Sequence, residues 1–192
     1  MMSRELWSND DFYTLRDTRM VVQETTNAIL NITILSSIIT PVGTLPVWVR
    51  TQLANRLAVD GASWAAAFAP FNSGTYNNEF QVVDTKRFTP GLAPAPLTGV
   101  LTIVSQIPGN VQSADMTELL ADQLYWPSYN RPFFPDQFNA MGYAPWAAKY
   151  PEYFTYNNYS RARIFRREHH NVTSMDAMKR LMTLNQWQTV WL

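Results

Sequence analysis

The segment Arg161-Ala-Arg-Ile-Phe-Arg-Arg167 sets four guanidinium groups around two large apolar side chains. Guanidinium forks match phosphate and carboxylate oxygens two at a time, so oxyanion binding is the chemistry this cluster suggests. The alternation within it predicts a strand with Arg161 and Arg163 on one face, which leaves one or two of the arginines to reach a pocket and the others on the surface. Just downstream stand the two histidines of the chain, His169 and His170. Adjacent side chains rarely converge on one metal or one nucleophile, so the pair reads as solvated loop residues rather than a site.

A second polar run, Asn72-Ser-Gly-Thr-Tyr-Asn-Asn78, leads into an apolar stretch. These are ordinary turn residues, yet the run is long for a hairpin. The carboxamides of Asn72, Asn77 and Asn78 are expected to satisfy backbone groups where a loop enters a central strand, with substrate contact as the alternative. Nucleophile elbows, phosphate loops, dinucleotide fingerprints and H-E-x-x-H are absent from the sequence. The chain contains no cysteine, which removes disulfides, thiolate metal sites and a thiol nucleophile from it. No metal site and no cofactor is expected. Asn31-Ile-Thr, Asn158-Tyr-Ser and Asn171-Val-Thr are glycosylation sequons that hint at a secretory route.

The elements that would position these residues belong to one domain, since 192 residues with 46% hydrophobic and 16% charged side chains can bury a real core. Fifteen basic and fifteen acidic residues cancel, which argues against a nucleic-acid groove. Neither the N-terminal residues nor the window from Ile29 to Ile39, interrupted by Asn31, Thr33, Ser36 and Ser37, has the unbroken apolar length of a signal peptide or a membrane span.

Spacing predicts a helix over Leu45 to Ala58, with Val49, Leu53 and Leu57 facing a core and Asp60-Gly61 as its stop. A short helix capped by Ser63 should follow, carrying Trp64, Ala65 and Phe68. Strands are expected from Glu79 to Asp84 and from Gly99 to Gln106, joined by a loop over Thr89 to Pro96. Helices should open at Ser113, with Met116, Leu119, Leu120 and Leu124, and at Thr173 or Ser174, with Met175, Met178, Leu181 and Met182. Between them, Tyr125 to Tyr159 is an aromatic, proline-dotted loop with short helical pieces such as Asp136 to Met141. The sum is an α+β layered domain.

NSGTYNN followed by VVD, together with DDFY, ETT, ANRLA-DGASWA, TPG-AP, QIPG, YWPSYN and RARIFRR, resembles the phospholipase B-like family. The resemblance runs from about Asn9 to Gln188 in consistent order. It implies part of an αββα sandwich of the N-terminal-nucleophile hydrolase type, in lysosomal or secreted glycoproteins processed into two chains. The implied activity is hydrolysis of an ester or amide bond in a lipid-like or acylated substrate, and so lipid degradation.

In such a mechanism a cysteine freed at a new N-terminus attacks the carbonyl while its own amine acts as base. The family places that cysteine, and a His-Asn-Thr-Trp element, upstream of DDFY, so residues 1–192 resemble an internal, partial segment of the domain. The resemblance implies pocket positions for Thr26, which closes ETT, Asn130, which closes YWPSYN, and Arg161, which opens RARIFRR. Asn130 would donate to the oxyanion, Arg161 would favour a thiolate or hold a polar substrate end, and Thr26 would orient the attacking amine. The partners implied are a lipid-like substrate and a cysteine-bearing upstream segment or second chain. The alternative is a non-catalytic fragment or pseudoenzyme that retains lipid or glycan binding through Tyr125 to Tyr159. Alone, the chain is expected to expose apolar faces and to self-associate.

Overall fold

The structure is a computed structural model that describes residues 11–38, 42–91 and 98–185. Its frame is a five-stranded antiparallel sheet in which each strand pairs with its sequence neighbour: β1 (Phe12–Leu15), β2 (Met20–Thr26), β3 (Asn78–Asp84), β4 (Leu101–Ile107) and β5 (Asn110–Asp115). Between β2 and β3 the chain forms α1 (Ile32–Ile38), α2 (Val47–Leu57) and α3 (Gly61–Phe68). After β5 come α4 (Thr117–Gln123), α5 (Pro135–Ala140), α6 (Tyr143–Lys149), α7 (Pro151–Phe154), α8 (Ser160–Glu168) and α9 (Met175–Met182). The class is α+β, as expected. One sheet of the expected sandwich lies among the described residues.

Register sorts the side chains of the sheet. Val22 pairs with Val82, and Glu24 with Phe80, which pairs in turn with Val104. Because alternate residues share a face, Met20, Val22, Phe80, Val82 and Val104 lie together. They pack against Val47, Ala54, Ala58, Trp64 and Phe68 of the α2–α3 region. Phe68 and Phe80 ring centroids are 4.8 Å apart, and each lies 5.0 Å from Trp64. Each large apolar side chain among them contributes about 1.5–3 kcal/mol when fully buried, which makes this the larger of two apolar clusters among the described residues. The opposite face carries Thr25, Glu79, Gln81 and Ser105, and β3 is buried on both faces for most of its length.

Arg50 holds the helical layer to the sheet. It is 1% exposed, and its Nε donates to the carbonyls of Phe68 and Pro70, each at 2.9 Å, where α3 ends. Nη2 donates to Phe68 O as well, and Nη1 to Oε1 of Gln106 on β4. A cation at the C-terminal end of a helix meets carbonyls that lack intrahelical partners and the negative end of the helix dipole. Burial lowers the guanidinium pKa from 12.5 to about 10, which leaves the group charged at neutral pH. Gln106 passes the connection on, since its Nε2 donates to Thr75 O at 2.9 Å in the asparagine-rich run.

Two of the three carboxamides in that run, those of Asn72 and Asn77, satisfy backbone groups as expected. Asn72 Nδ2 donates to Ile107 O at 2.8 Å, Asn72 Oδ1 accepts Gly74 N, and Asn77 Nδ2 donates to Gly74 O. Phe71 just before it and Tyr76 within it take φ values of 59° and 50°, costly for aromatic residues and tolerated where surrounding bonds over-determine the backbone.

Several expectations are corrected. In α2 the buried face is Val47, Arg50, Thr51 and Ala54, whereas Leu53 and Leu57 are 42% and 68% exposed. Both stripes have helical spacing; the one containing Arg50 faces inward because the carbonyls of α3 and Gln106 lie there. Trp48, Leu53, Leu57 and Val59 are apolar side chains that face solvent on this layer. Asp60, read as the stop of one helix, is the N-cap of the next, and Ser63 completes its capping box from the third helical position. Gly61 is required there, because a Cβ would lie 2.1 Å from Thr102 Oγ1.

Ser113 lies in β5, and the helix expected from it begins at Thr117 after Asp115 has accepted the Thr117 amide. The arginine segment is α8, not a strand, so Arg161 and Arg163 diverge by about 200° around the axis. Strands β3 and β4, the short helix near Asp136 and the helix capped by Ser174 form where expected, while residues 92–96 of the expected Thr89 to Pro96 loop lie outside the described residues.

Arg50→Ala should destabilise the chain by about 3–5 kcal/mol in urea unfolding, since several buried acceptors lose their donor at once. Arg50→Lys should recover less than half of that, because an ammonium cannot span the three directions the guanidinium serves. A loss below about 1 kcal/mol would show that the layers hold together without Arg50.

Candidate functional site

At the end of the sheet where β2 finishes and β3 begins, Thr26 pairs with Asn78. The carbonyl of Thr26 accepts the side chain of Asn130, with Nδ2 at 2.7 Å. Asn130 Oδ1 accepts Arg161 Nη1 at 2.8 Å. Three residues drawn from a span of more than a hundred positions therefore form one hydrogen-bonded chain. The carboxamide is oriented at both ends: one N–H is spent on Thr26 O, and the second is directed elsewhere.

Local conformation explains why asparagine suits this turn. Asn130 has a φ of 56°, in the left-handed region that asparagine enters more readily than other side chains with a Cβ. Arg161 lies in the first turn of α8, where Ala162 packs inward and turns the guanidinium toward Asn130. It also donates to Tyr159 Oη at 3.2 Å and lies over that ring. Arg131 closes the other side, donating to Asn130 O at 3.0 Å and lying 4.5 Å from the Tyr159 ring centroid. The result is an aromatic and cationic rim around a fixed carboxamide.

Beneath it lies a layer in which the sequence marked Asn77 and Asn78, chiefly as backbone partners, and missed Asn27. Asn27, Asn77 and Asn78 are all at most 6% exposed. Asn27 N donates to Asn77 O at 2.9 Å. Both side-chain heteroatoms of Asn27 and the Oδ1 atoms of Asn77 and Asn78 are buried without a hydrogen-bond partner among the described residues. Such groups are costly unless something completes them, so this end of the sheet holds donors and acceptors in reserve. Proximity to ETT in the pairing of β2 with β3 was the available signal, and it exists only once register is known.

On the same side of the sheet as Glu79, residues 125–134 form a cover. Thr25 Oγ1 and Ser128 Oγ share a hydrogen bond, and Phe133 N donates to Glu79 Oε2 at 3.2 Å. Glu79 is fully buried, and burial pushes its carboxyl up to about 8 despite the opposing pull of the Phe133 N–H. Beyond the cover lies a cavity of about 570 Å3 walled by Tyr125, Trp126, Tyr129, Phe133, Tyr156 and the end of α8.

The remaining expected residues are dispersed. His169 is not a free loop residue: its ring stacks on Tyr125 at 4.2 Å, and its Nδ1 lies 3.1 Å from Phe165 O, while His170 is exposed. Arg166 donates to Asn157 O and Arg167 pairs with Glu168. Among the sequons, Asn158 and Asn171 are exposed, whereas Asn31 is half-buried with Nδ2 donating to Ala140 O.

The fold is thus an α+β layer with an oriented carboxamide and a guanidinium at one end of the sheet. Residues 4–190 match the Phospholipase B family, and the chain belongs to it. It is 46% identical over 182 residues to phospholipase B-like 2 of Mus musculus and 47% identical to that of Homo sapiens, in each case covering 95% of this chain and 30% of the relative. Phospholipase B-like protein F of Dictyostelium discoideum is 44% identical over 96% of this chain and 32% of its own. The chain thus spans about a third of the length of the curated relatives it matches.

The left-handed turn yields a stability test. Asn130→Gly should melt closer to the parent than Asn130→Ala, by about 1 kcal/mol, because alanine adds backbone strain to the same lost hydrogen bonds. Equal melting of the two variants would mean that the turn does not hold this conformation in solution.

Proposed function

We propose that this chain supplies the pocket wall of a phospholipase B-like hydrolase that cleaves ester or amide bonds in lipid-like or acylated substrates, as part of one larger domain. The observation that carries this reading is the continuous hydrogen-bonded chain from Thr26 through Asn130 to Arg161. Asn130 keeps an N–H for the oxyanion of a tetrahedral intermediate and is held in place before charge develops there. Arg161 fixes the carboxamide orientation and adds positive potential to the rim, which favours a thiolate nucleophile or an anionic substrate group. Thr26 contributes its carbonyl to that orientation; its positioning of an attacking amine is the family-derived part of this reading. The nucleophile is a cysteine outside this sequence, on an upstream segment or a second chain. A lysosomal or secreted location, with glycans on the exposed Asn158 and Asn171, fits the same reading.

A second reading has its own support. The aromatic cavity beside Trp126 and Tyr156 has the size and lining of a small-ligand pocket, so the chain would bind an acyl chain or a glycan without catalysis.

The two readings separate in the longer protein that carries the cysteine. Asn130→Gly should lower kcat for hydrolysis of a p-nitrophenyl ester by roughly a hundredfold to a thousandfold, with KM changed far less. Unchanged turnover would sink the oxyanion role, and absence of hydrolysis in the parent protein would favour the binding reading.

A further inference from the structure

The turn that presents Asn130 is tied to the sheet on both sides. Ser128, two residues before it, bonds Thr25, and Phe133, three residues after it, bonds Glu79. Thr25 and Glu79 are direct cross-strand partners in the pairing of β2 with β3. A single rung of the ladder therefore fixes both shoulders of the turn. Cross-strand neighbours move together, so this pair sets the height of Asn130 over the sheet more firmly than either tie alone.

We infer that Glu79 is a positioning residue of the proposed hydrolytic site, holding the Asn130 turn closed as a neutral carboxylic acid and releasing it when it ionises. The inference rests on the hydrolase reading for its functional meaning but not for its physics. Glu79 is fully buried, with Oε2 accepting the Phe133 N–H and Oε1 lacking a partner among the described residues. Ser105, its partner on β4, is also fully buried, and its Oγ likewise lacks one. A neutral Glu79 can donate from Oε1 to the Ser105 hydroxyl on the same face, and a carboxylate could accept from it, so it is burial rather than this hydroxyl that favours the neutral acid. A charge there would gain a stronger bond from Phe133 N–H. One such bond replaces little of the hydration that a carboxylate loses on burial. Its route to water is displacement of residues 125–134, which have the aromatic cavity behind them to move into.

No cationic side chain among the described residues contributes to holding a charge on Glu79, so the Phe133 N–H and the neighbouring hydroxyls are what an ionised carboxyl there would have. Thr25 and Ser105 flank it on the neighbouring strands, and Phe133 covers it. Among the described residues Tyr156 is the titratable group coupled to it, and its phenol is pushed up by burial first and then by the Glu79 charge.

The sign follows from linkage. A carboxyl with a raised value in the closed state favours closure fully below its ordinary pKa of 4.5, and that preference is lost as pH rises toward about 8. The opening equilibrium should grow by up to tenfold per pH unit across that window and level off above it. The site is thus built for acidic surroundings.

Hydrogen exchange of peptides spanning residues 125–134, followed by mass spectrometry and corrected for intrinsic rates, tests this without a substrate. The parent chain should lose protection of this segment between roughly pH 5 and pH 8 while the core strands keep theirs. Glu79→Gln retains a carbonyl for Phe133 and cannot ionise. It should match the parent at roughly pH 5, within a few-fold, and stay protected as pH rises. Glu79→Ala should expose the segment at every pH. If Glu79→Gln followed the parent's pH profile, or was unprotected at the acidic end, the inference would be overturned. Failure of Asn130 substitutions to alter turnover would instead bear on the hydrolase reading alone.

Discussion

A buried cation holds this structure together. Arg50 is the point at which α2, the end of α3, β4 and the asparagine-rich loop meet, and each of its bonds satisfies a group that would otherwise be stranded away from water. A guanidinium in a nearly dry interior is tolerated only if its donors are filled, and here the carbonyls at a helix C-terminus fill them. The Phe68 ring lies under the same group, 4.1 Å from its carbon, so the aromatic core and the polar network share one anchor. Through Gln106 and Thr75 that anchor reaches Asn77 and Asn78, and so the strand end on which the candidate site stands.

The two faces of the sheet divide the labour. One is closed by Trp64, Phe68 and Phe80 and supplies the apolar burial that opposes chain entropy. The other carries carboxyl, carboxamide and hydroxyl groups and is covered by a loop-rich segment that makes few, specific bonds. A wholly apolar second face would pack more simply but could not fix the direction of the Asn130 turn. Polar groups held at low exposure restrict the turn by direction as well as by contact. The exposed apolar side chains of α2 are where this layer offers surface, while the unpartnered asparagine atoms are enclosed at the sheet end.

Legibility varied with range. The strand Asn78–Asp84 and the run Leu101–Ile107 were readable because β-branched composition and flanking turn residues are local signals. The burial of α2 was not, since Val49, Leu53, Leu57 and Val47, Arg50, Ala54 are equally helical stripes, and hydrophobicity alone chose the wrong one. Alternating arginines suggested a strand in Arg161 to Arg167. The helical signal was Ala162, Phe165 and His169, at i, i+3 and i+7, with His169 packed on Tyr125. Motif resemblance named Thr26, Asn130 and Arg161, and the hydrogen bonds that join them were not readable from spacing.

By itself, then, the sequence determined what short-range chemistry determines: the family, the strands β3 and β4, the helix capped by Ser174, the absence of a thiol and the amide-built loop. Tertiary structure decided which face of α2 is inside, that Glu79 sits across from Thr25 under Phe133, and that Asn130 joins Thr26 to Arg161. Those outcomes depend on strand register and on contacts between residues up to a hundred or more positions apart. No local periodicity carries that information, because the partner of each group becomes available only when the sheet has closed and the cover lies on it.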